Sequence, residues 1–176
     1  IKKILEDQKV GEKIRNGFRV SIVGEVNAGK SSLLNLLSKR EAAIVSEEKG
    51  TTRDIIEVYL NIDGYPVILA DTAGIRDSQN LIEKKGISLA INRSKESDLS
   101  LIVIDNSSQI IDPKIENLID DNCIVVLNKS DVNNQQNHNF KKTPVVLISV
   151  KNNKNIIELT EKIKEKLSSK FTTTNN

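Results

Sequence analysis

The sequence predicts an α/β protein built on a doubly wound, mostly parallel sheet of six strands with one antiparallel edge strand. Short apolar runs alternate along the chain with segments of helical periodicity. The runs Leu99–Ile104 and Cys123–Leu127 are almost continuously apolar, which is typical of strands buried on both faces of a parallel sheet. Asp63-Gly64 separates Ile55–Ile62 from Tyr65–Ala70 and favours a hairpin, which supplies the antiparallel strand.

The other elements follow from the same periodicities. Two further runs predict strands, Phe18–Val23 and Val145–Ile148. Spacing of apolar residues predicts helices over Ile1–Asn16, from Lys30 through Leu37, over Glu83–Lys95, over Pro113–Asp120 and over Asn155–Leu167. Residues Arg40–Asp54 carry no clean periodicity and predict a long loop.

Composition indicates one globular domain. The 176 residues are 38% hydrophobic and 28% charged, enough for one core but not for two comfortable ones. We expect a linker helix over residues 1–16 left from a neighbouring helical domain, a globular domain over 17–168 and a disordered tail over 169–176. The chain begins at Ile1 and has no Met, so we expect a piece of a longer protein.

Several kinds of function are disfavoured by composition. The net charge of +2 gives no support for nucleic-acid binding through a basic face. The single cysteine, Cys123, excludes an internal disulfide and lies in an apolar run, where we expect it in the core. His138 lies in a polar stretch and is expected in a loop. No apolar segment reaches the roughly 20 residues of a transmembrane helix, and we expect a cytoplasmic setting.

The strongest motif is Gly24–Ser31, which reads G-x-x-x-x-G-K-S between a predicted strand and a predicted helix. Its glycines allow the backbone to wrap a polyphosphate, so that N–H groups and a helix N-terminus face negative charge. Lys30 would contact the β- and γ-phosphates, and the Ser31 hydroxyl would bind Mg²⁺. The nucleotide contacts expected here are Asn27, Ala28, Gly29, Lys30, Ser31 and Ser32.

A second motif indicates which base is bound. Asn128-Lys129-Ser130-Asp131 follows directly on a predicted buried strand. The Asp131 carboxylate can accept hydrogen bonds from N1–H and N2–H₂ of guanine, whereas adenine presents an acceptor at N1 and has no 2-amino group. An Asx-rich turn is the alternative for this segment alone. Ser149-Val150-Lys151 follows the last predicted strand and would form a second wall of the pocket.

Two further segments are expected to respond to the γ-phosphate. Asp71-Thr72-Ala73-Gly74 ends a predicted strand, so that Asp71 can hold the Mg²⁺ shell through water and the Gly74 N–H can contact the γ-phosphate. Gly50-Thr51-Thr52-Arg53-Asp54 lies in the predicted loop, and Thr52 is the favoured second hydroxyl ligand of Mg²⁺. Together the motifs indicate a Ras-like P-loop NTPase that hydrolyses GTP.

The residue that would orient the attacking water is not settled by these motifs. Ile75 occupies the position that holds this glutamine in Ras-type GTPases, and an isoleucine side chain cannot orient water. Either hydrolysis is negligible or another group acts. The acidic candidates are Asp77 and Glu83, and Glu83 is equally explained as an acid favoured at a helix start.

The chain resembles the G domain of the MnmE (TrmE) family of tRNA-modification GTPases, among the translation-factor-related GTPases. The resemblance extends from Phe18 to Leu167. The segments that carry it are Gly24–Ser32, Arg40–Val45, Gly50–Asp54, Asp71–Arg76 and Glu83–Ile87.

This resemblance implies a K⁺ ion bound by Asn27 and by the loop Ser46–Thr51, with Ser46, Glu48 and Thr51 as ligands. The remaining residues of that loop, expected near the nucleotide, are Glu47, Lys49 and Gly50. It also implies that Glu83 positions the catalytic water. The expected partners are GTP and GDP, a second G domain in a nucleotide-dependent homodimer and, in the whole protein, MnmG (GidA) and the tRNA whose wobble uridine is modified.

Two alternatives remain open at this point. One is a related ribosome-assembly GTPase of the Der or Era kind. The other is a nucleotide-gated interaction module whose hydrolysis is incidental, which Ile75 keeps possible.

Overall fold

A computed structural model of the chain describes residues 11–41, 44–46, 56–71, 91–92, 94–132, 140 and 143–172. Its elements, in chain order, are β1 (Phe18–Gly24), α1 (Lys30–Arg40), β2 (Ile44–Ser46), β3 (Ile56–Ile62), β4 (Tyr65–Asp71), β5 (Leu99–Asp105), α2 (Pro113–Glu116), β6 (Cys123–Asn128), β7 (Val145–Leu147) and α3 (Ile156–Thr172). Residues 11–16, 91–92 and 94–96 are also helical.

The strands form one sheet in the order β2-β3-β4-β1-β5-β6-β7. The neighbouring strands β4, β1, β5, β6 and β7 are all parallel to one another. In contrast, β3 is antiparallel to both β2 and β4. The predicted doubly wound α/β fold is confirmed. The sheet has seven strands rather than the predicted six, because Ile44–Ser46 forms an additional edge strand that pairs with β3. The prediction of a continuous loop over Arg40–Asp54 is therefore wrong at these residues.

Each face of the sheet carries a separate hydrophobic cluster. The larger one joins alternate residues of the central strands to α1 and α3, for example Leu101, Leu33 and Ile163. The smaller one packs the other face against α2 and includes Ile102 and Cys123. Alternation within β5 distributes its side chains between both clusters, as expected for a strand covered on both faces.

Cys123 is fully buried, as the sequence predicted. Its thiol donates a hydrogen bond to the Asp120 carbonyl oxygen (3.1 Å) and accepts one from the Asp120 amide (3.3 Å). Burial raises the pKa of the Cys123 thiol. The residue therefore remains a protonated core side chain rather than a nucleophile.

Two helix boundaries differ from the predicted ones. The helix α3 runs to Thr172 and so includes the first residues of the predicted tail over 169–176. The helix α2 ends at Glu116 rather than at Asp120, and the chain continues in turns bonded from residue i+3 to residue i. Residues 1–10 of the predicted first helix, His138, and residues 83–90 lie outside the described part of the chain. Within that described part, no helix is both long and apolar enough to cross a bilayer.

The parallel strands bring their carboxyl ends to one edge of the sheet. Ile22 of β1 is in register with Asp71 of β4, and Gly24 is in register with Val103 of β5. Asp105, the last residue of β5, is in register with Asn128, the last residue of β6. In doubly wound sheets this edge is where ligands bind, and all the predicted motifs with described residues lie along it.

Candidate nucleotide-binding site

The segment between β1 and α1 forms a compact loop closed by the hydrogen bond from the Ala28 amide to the Glu25 carbonyl (3.3 Å). Asn27 (φ 61°) and Gly29 (φ 99°) both have left-handed backbone conformations. Ala28 between them is fully buried, and Gly29 caps α1. The motif therefore has the strand–loop–helix geometry that a phosphate loop requires.

Both glycines of the motif are required by close approach of other groups. A Cβ atom at Gly24 would lie 2.1 Å from the Val103 carbonyl oxygen of β5. A Cβ atom at Gly29 would lie 2.2 Å from Nδ2 of Asn128. The phosphate loop is thus packed directly against the backbone of β5 and against the Asn128 side chain at the end of β6.

We predict that Gly24→Ala destabilises the protein by roughly 1–3 kcal/mol, because β1 and β5 must separate to admit the methyl group. The measurement is chemical denaturation, with Gly11→Ala as the matched control. A Cβ at Gly11 meets nothing within 4 Å. Equal denaturation midpoints for the two variants would contradict the prediction.

Lys30 begins α1 and is nearly buried, with an exposed fraction of 8%. Its Nζ donates to the carbonyl oxygen of Glu25 (2.5 Å), across the phosphate loop. The ammonium therefore lies inside the loop that would enclose a phosphate. Ser31 and Ser32 follow on the first turn of α1 and are exposed.

Asn128 connects the phosphate loop to the other two motifs. Its side chain is buried, and Nδ2 donates to the Ala28 carbonyl oxygen (2.9 Å) while Oδ1 accepts from the Val150 amide (3.1 Å). The Ser130 amide also donates to the Ile148 carbonyl oxygen (3.0 Å). The structure thus brings together all three segments that the sequence assigned to phosphate and base.

Asp131 lies on the exposed side of this junction, and Ser149 fixes its carboxylate. The Ser149 hydroxyl donates to Oδ1 of Asp131 (2.6 Å) and accepts from the Asn152 amide (3.1 Å). The hydrogen bond from Ser149 holds the pKa of Asp131 below its usual value. The carboxylate is therefore ionised at neutral pH, as recognition of guanine N1–H and N2–H₂ requires. Lys151 is exposed in the following turn.

We predict that Ser149→Ala shifts the acid limb of GTP binding to higher pH. Asp131 binds guanine only when ionised, so affinity is lost as the pH falls through its pKa. Removing the hydroxyl raises that pKa toward the ordinary carboxyl value of about 3.9. Titrating GTP between about pH 3 and pH 5 tests this; superimposable profiles for wild type and variant would contradict it.

Two contacts at the site were missed by sequence reasoning. Lys129 (φ 66°) pairs with Asp105, Nζ to Oδ2, at 2.6 Å. Glu25, inside the phosphate loop, accepts a hydrogen bond from the Asp112 amide at its Oε1 (2.6 Å). The only sequence signal was the position of Asp105 directly after an apolar strand, where polar residues of α/β sites commonly lie.

Many of the predicted site residues lie outside the described part of the chain. They are Glu47, Glu48, Lys49, Gly50, Thr51, Thr52, Thr72, Ala73, Gly74, Ile75, Asp77 and Glu83. For Ser46 and Asp71 the backbone is described: Ser46 pairs with Glu57 in β3, and Asp71 ends β4 beside β1. Among described residues, no group of three or more His, Cys, Asp or Glu could hold a metal ion.

Comparison with known proteins agrees with this geometry. The family described as 50S ribosome-binding GTPase matches residues 19–129, more than half of the chain. Over 135 residues the chain is 62% identical to the tRNA modification GTPase MnmE of Pelagibacter ubique, covering 77% of this chain and 30% of that protein. The MnmE of Paramagnetospirillum magneticum is 43% identical over 169 residues, covering 95% of this chain and 38% of that protein. The chain thus spans less than half the length of these relatives.

Solved structures share the fold. An Aquifex aeolicus Era variant bound to GDP and AlF4 superposes with a TM-score of 0.60 at 28% identity, covering 83% of this chain and 55% of that one. The G domain of the T. maritima FeoB iron transporter gives a TM-score of 0.60 at 21% identity, covering 85% of this chain and 98% of that one. The chain belongs to the family of 50S ribosome-binding GTPases, and both its expected resemblance to the G domain of MnmE and its expected class of GTP hydrolase are confirmed.

Proposed function

We propose that this chain binds GTP and hydrolyses it to GDP and phosphate as the G domain of a GTPase that acts in modification of the tRNA wobble uridine. The observation that carries the proposal is the pair of hydrogen bonds made by Asn128 to Ala28 and Val150. Through them a phosphate loop and a carboxylate suited to guanine share one edge of the sheet. The 62% identity to MnmE of Pelagibacter ubique supports the assignment to tRNA modification.

The phosphate loop would bind the triphosphate through charge and main-chain donors. Lys30 now donates to the Glu25 carbonyl, and a phosphate oxygen would be a stronger acceptor because it carries negative charge. The N-terminus of α1, which starts at Lys30, adds further amide donors. Binding would therefore exchange an internal hydrogen bond of Lys30 for a charge-assisted one.

The described residues fit Mg²⁺ bound together with the nucleotide. Mg²⁺ takes one or two protein ligands beside phosphate oxygens and several waters, so a cluster of acidic side chains is not needed. Ser31 presents its hydroxyl on the exposed first turn of α1, and Asp71 ends β4 in register with Ile22. Thr52 is the proposed second hydroxyl ligand. The ion would neutralise charge on the β- and γ-phosphates.

We further propose that K⁺ stimulates hydrolysis. Asn27 is exposed in the phosphate loop and has a left-handed backbone conformation. An amide oxygen there is a suitable ligand for a hard cation, and Ser46, Glu48 and Thr51 are its proposed companions. Such an ion would stabilise charge that develops between the β- and γ-phosphates. Glu83 would position the water that Ile75 cannot orient.

The expected result is faster GTP turnover in KCl than in NaCl at protein concentrations high enough for the proposed G-domain dimer to form. Asn27→Ala should abolish the difference and leave a slow basal rate, because one ligand of the ion is lost. Asn35→Ala is the matched control, since Asn35 is an exposed asparagine of α1. Equal rates in the two salts for wild type would contradict the K⁺ proposal while leaving GTP hydrolysis intact.

The proposed partners beyond GTP and GDP are a second copy of the G domain, MnmG (GidA) and tRNA, in a cytoplasmic setting. They rest on the similarity to MnmE relatives, of which the chain spans 30% to 38%.

A second candidate function is ribosome assembly, as in Era. It is favoured by the description of the matching family and by the 28% identity to the Era structure. Sedimentation with 50S subunits and a non-hydrolysable GTP analogue distinguishes the two functions. The tRNA-modification proposal expects no co-sedimentation.

A further inference from the structure

Asp105 and Lys129 form an ion pair beside the proposed guanine pocket, and none of the expected nucleotide motifs includes Asp105. The two residues lie at the ends of neighbouring parallel strands, where Asp105 is in register with Asn128. Nζ of Lys129 lies 2.6 Å from Oδ2 of Asp105, and the side chains are 35% and 20% exposed. This pair is therefore more shielded from solvent than a fully exposed ion pair.

The Asp105 carboxylate is held in one orientation. Its Oδ1 accepts from both the amide (2.9 Å) and the hydroxyl (2.6 Å) of Ser107. The Ser108 amide donates to the Asp105 carbonyl oxygen (3.0 Å) and closes a turn. Partial burial tends to raise the pKa of Asp105, but the hydrogen bonds from Lys129 and Ser107 outweigh burial and lower it. A fixed, ionised oxygen thus faces Lys129.

Lys129 and Asp131 lie in the loop that follows β6, and each is held by a residue from a different neighbouring strand end. Ser149, after β7, holds the Asp131 carboxylate. Asp105, at the end of β5, holds the Lys129 ammonium. Since β5 and β7 flank β6, Lys129 and Asp131 are held from the two sides of the strand that they follow.

Building on the proposed guanine-nucleotide binding, we infer that Asp105 is a positioning residue that fixes the Lys129 stem as an apolar wall against the base. A lysine stem can pack along a ring while its charged end remains solvated or paired. Free lysine side chains lose rotamer freedom when a ligand immobilises them. Because Asp105 orders Lys129 before the nucleotide arrives, that loss does not weaken binding.

The test is isothermal titration of GDP and IDP into wild type, Asp105→Asn, Lys129→Met and the double variant. The asparagine Oδ1 can still accept the hydrogen bonds of Ser107, so the turn is preserved. Its Nδ2 then faces the Lys129 ammonium, and two hydrogen-bond donors oppose each other. We expect about three- to tenfold weaker GDP binding by Asp105→Asn. IDP lacks the 2-amino group, and the ratio of GDP to IDP affinity should not change because Asp131 is untouched.

In the Lys129→Met background, Asp105→Asn should have no further effect on GDP affinity, because methionine has no ammonium for Asp105 to hold. Asp63→Asn is the matched control, because it removes the carboxylate of another lysine pair, Asp63–Lys164, in the β3–β4 turn. Wild-type GDP affinity in Asp105→Asn, an altered GDP to IDP ratio, or an equal loss in the Lys129→Met background would overturn the inference. Failure of wild type to bind GDP would instead overturn the proposed function.

Discussion

Asp131→Asn is expected to change the preferred nucleotide of the chain from GTP to xanthosine triphosphate. The substitution places an amide donor where guanine presents its 2-amino donor, whereas xanthine presents an oxygen at the same position. A site that recognises a base by buried hydrogen bonds rejects a mismatched one by about 10⁴-fold. The ratio of GTP to xanthosine triphosphate affinity should therefore fall by about 10⁴ in calorimetric titrations.

The orientation of the new amide follows from the contacts of Ser149. Its hydroxyl accepts from the Asn152 amide and uses its hydrogen for Oδ1 of Asp131. In Asp131→Asn the amide oxygen would take that hydrogen, and the nitrogen would face the base. Ser149→Ala in the same chain should weaken the switch, because the amide could then rotate. Unchanged GTP affinity of Asp131→Asn would show that this carboxylate does not contact the base.

The sheet could be predicted from sequence because its strands are long, apolar and separated by clear turn residues. The strand over Leu99–Ile104 could be predicted without knowledge of tertiary contacts. Every residue in it is buried, and such a strand is almost continuously apolar in sequence. A three-residue strand such as Ile44–Ser46 carries too little periodicity to be recognised, and it exists because β3 offers a free edge.

The end of α3 could not be predicted for a related reason. Its last turns contain Ser168, Ser169 and Lys170 rather than an apolar stripe. Lys170 donates to the Asp98 carbonyl and to Asn122, at the opposite end of the sheet from the nucleotide site. Contacts between residues so far apart in sequence extend a helix beyond the boundary that local periodicity indicates.

Residues of the site could be predicted where they belong to a motif of fixed spacing. They could not be predicted where their contacts depend on strand register. Gly24–Ser31 and Asn128–Asp131 are local motifs, and the structure brings them together. The pair Asp105 and Lys129 depends on the alignment of β5 with β6. Glu25 contacts the Asp112 amide across 87 positions of sequence, which no local pattern encodes.

Replacing Asn128 is expected to disconnect the phosphate loop from the base pocket, with different consequences for two substitutions. Asn128→Ala leaves the Ala28 carbonyl and the Val150 amide without their partner, at a cost of about 1–3 kcal/mol each. GDP affinity should fall by about a hundredfold and the free energy of unfolding should also decrease.

Asn128→Asp keeps an acceptor for the Val150 amide but places a second, charged acceptor against the Ala28 carbonyl oxygen, which now receives Nδ2 at 2.9 Å. The base pocket should then retain its ratio of GDP to IDP affinity, while affinity for both nucleotides falls because the phosphate loop is displaced and gains negative charge nearby. Calorimetry with both nucleotides measures each effect, and Asn152→Ala, at an exposed asparagine nearby, is the control. If Asn128→Asp bound GDP as tightly as wild type, the bond to Ala28 would not be what positions the loop, and the phosphate site would have to be held by α1 and β1 alone.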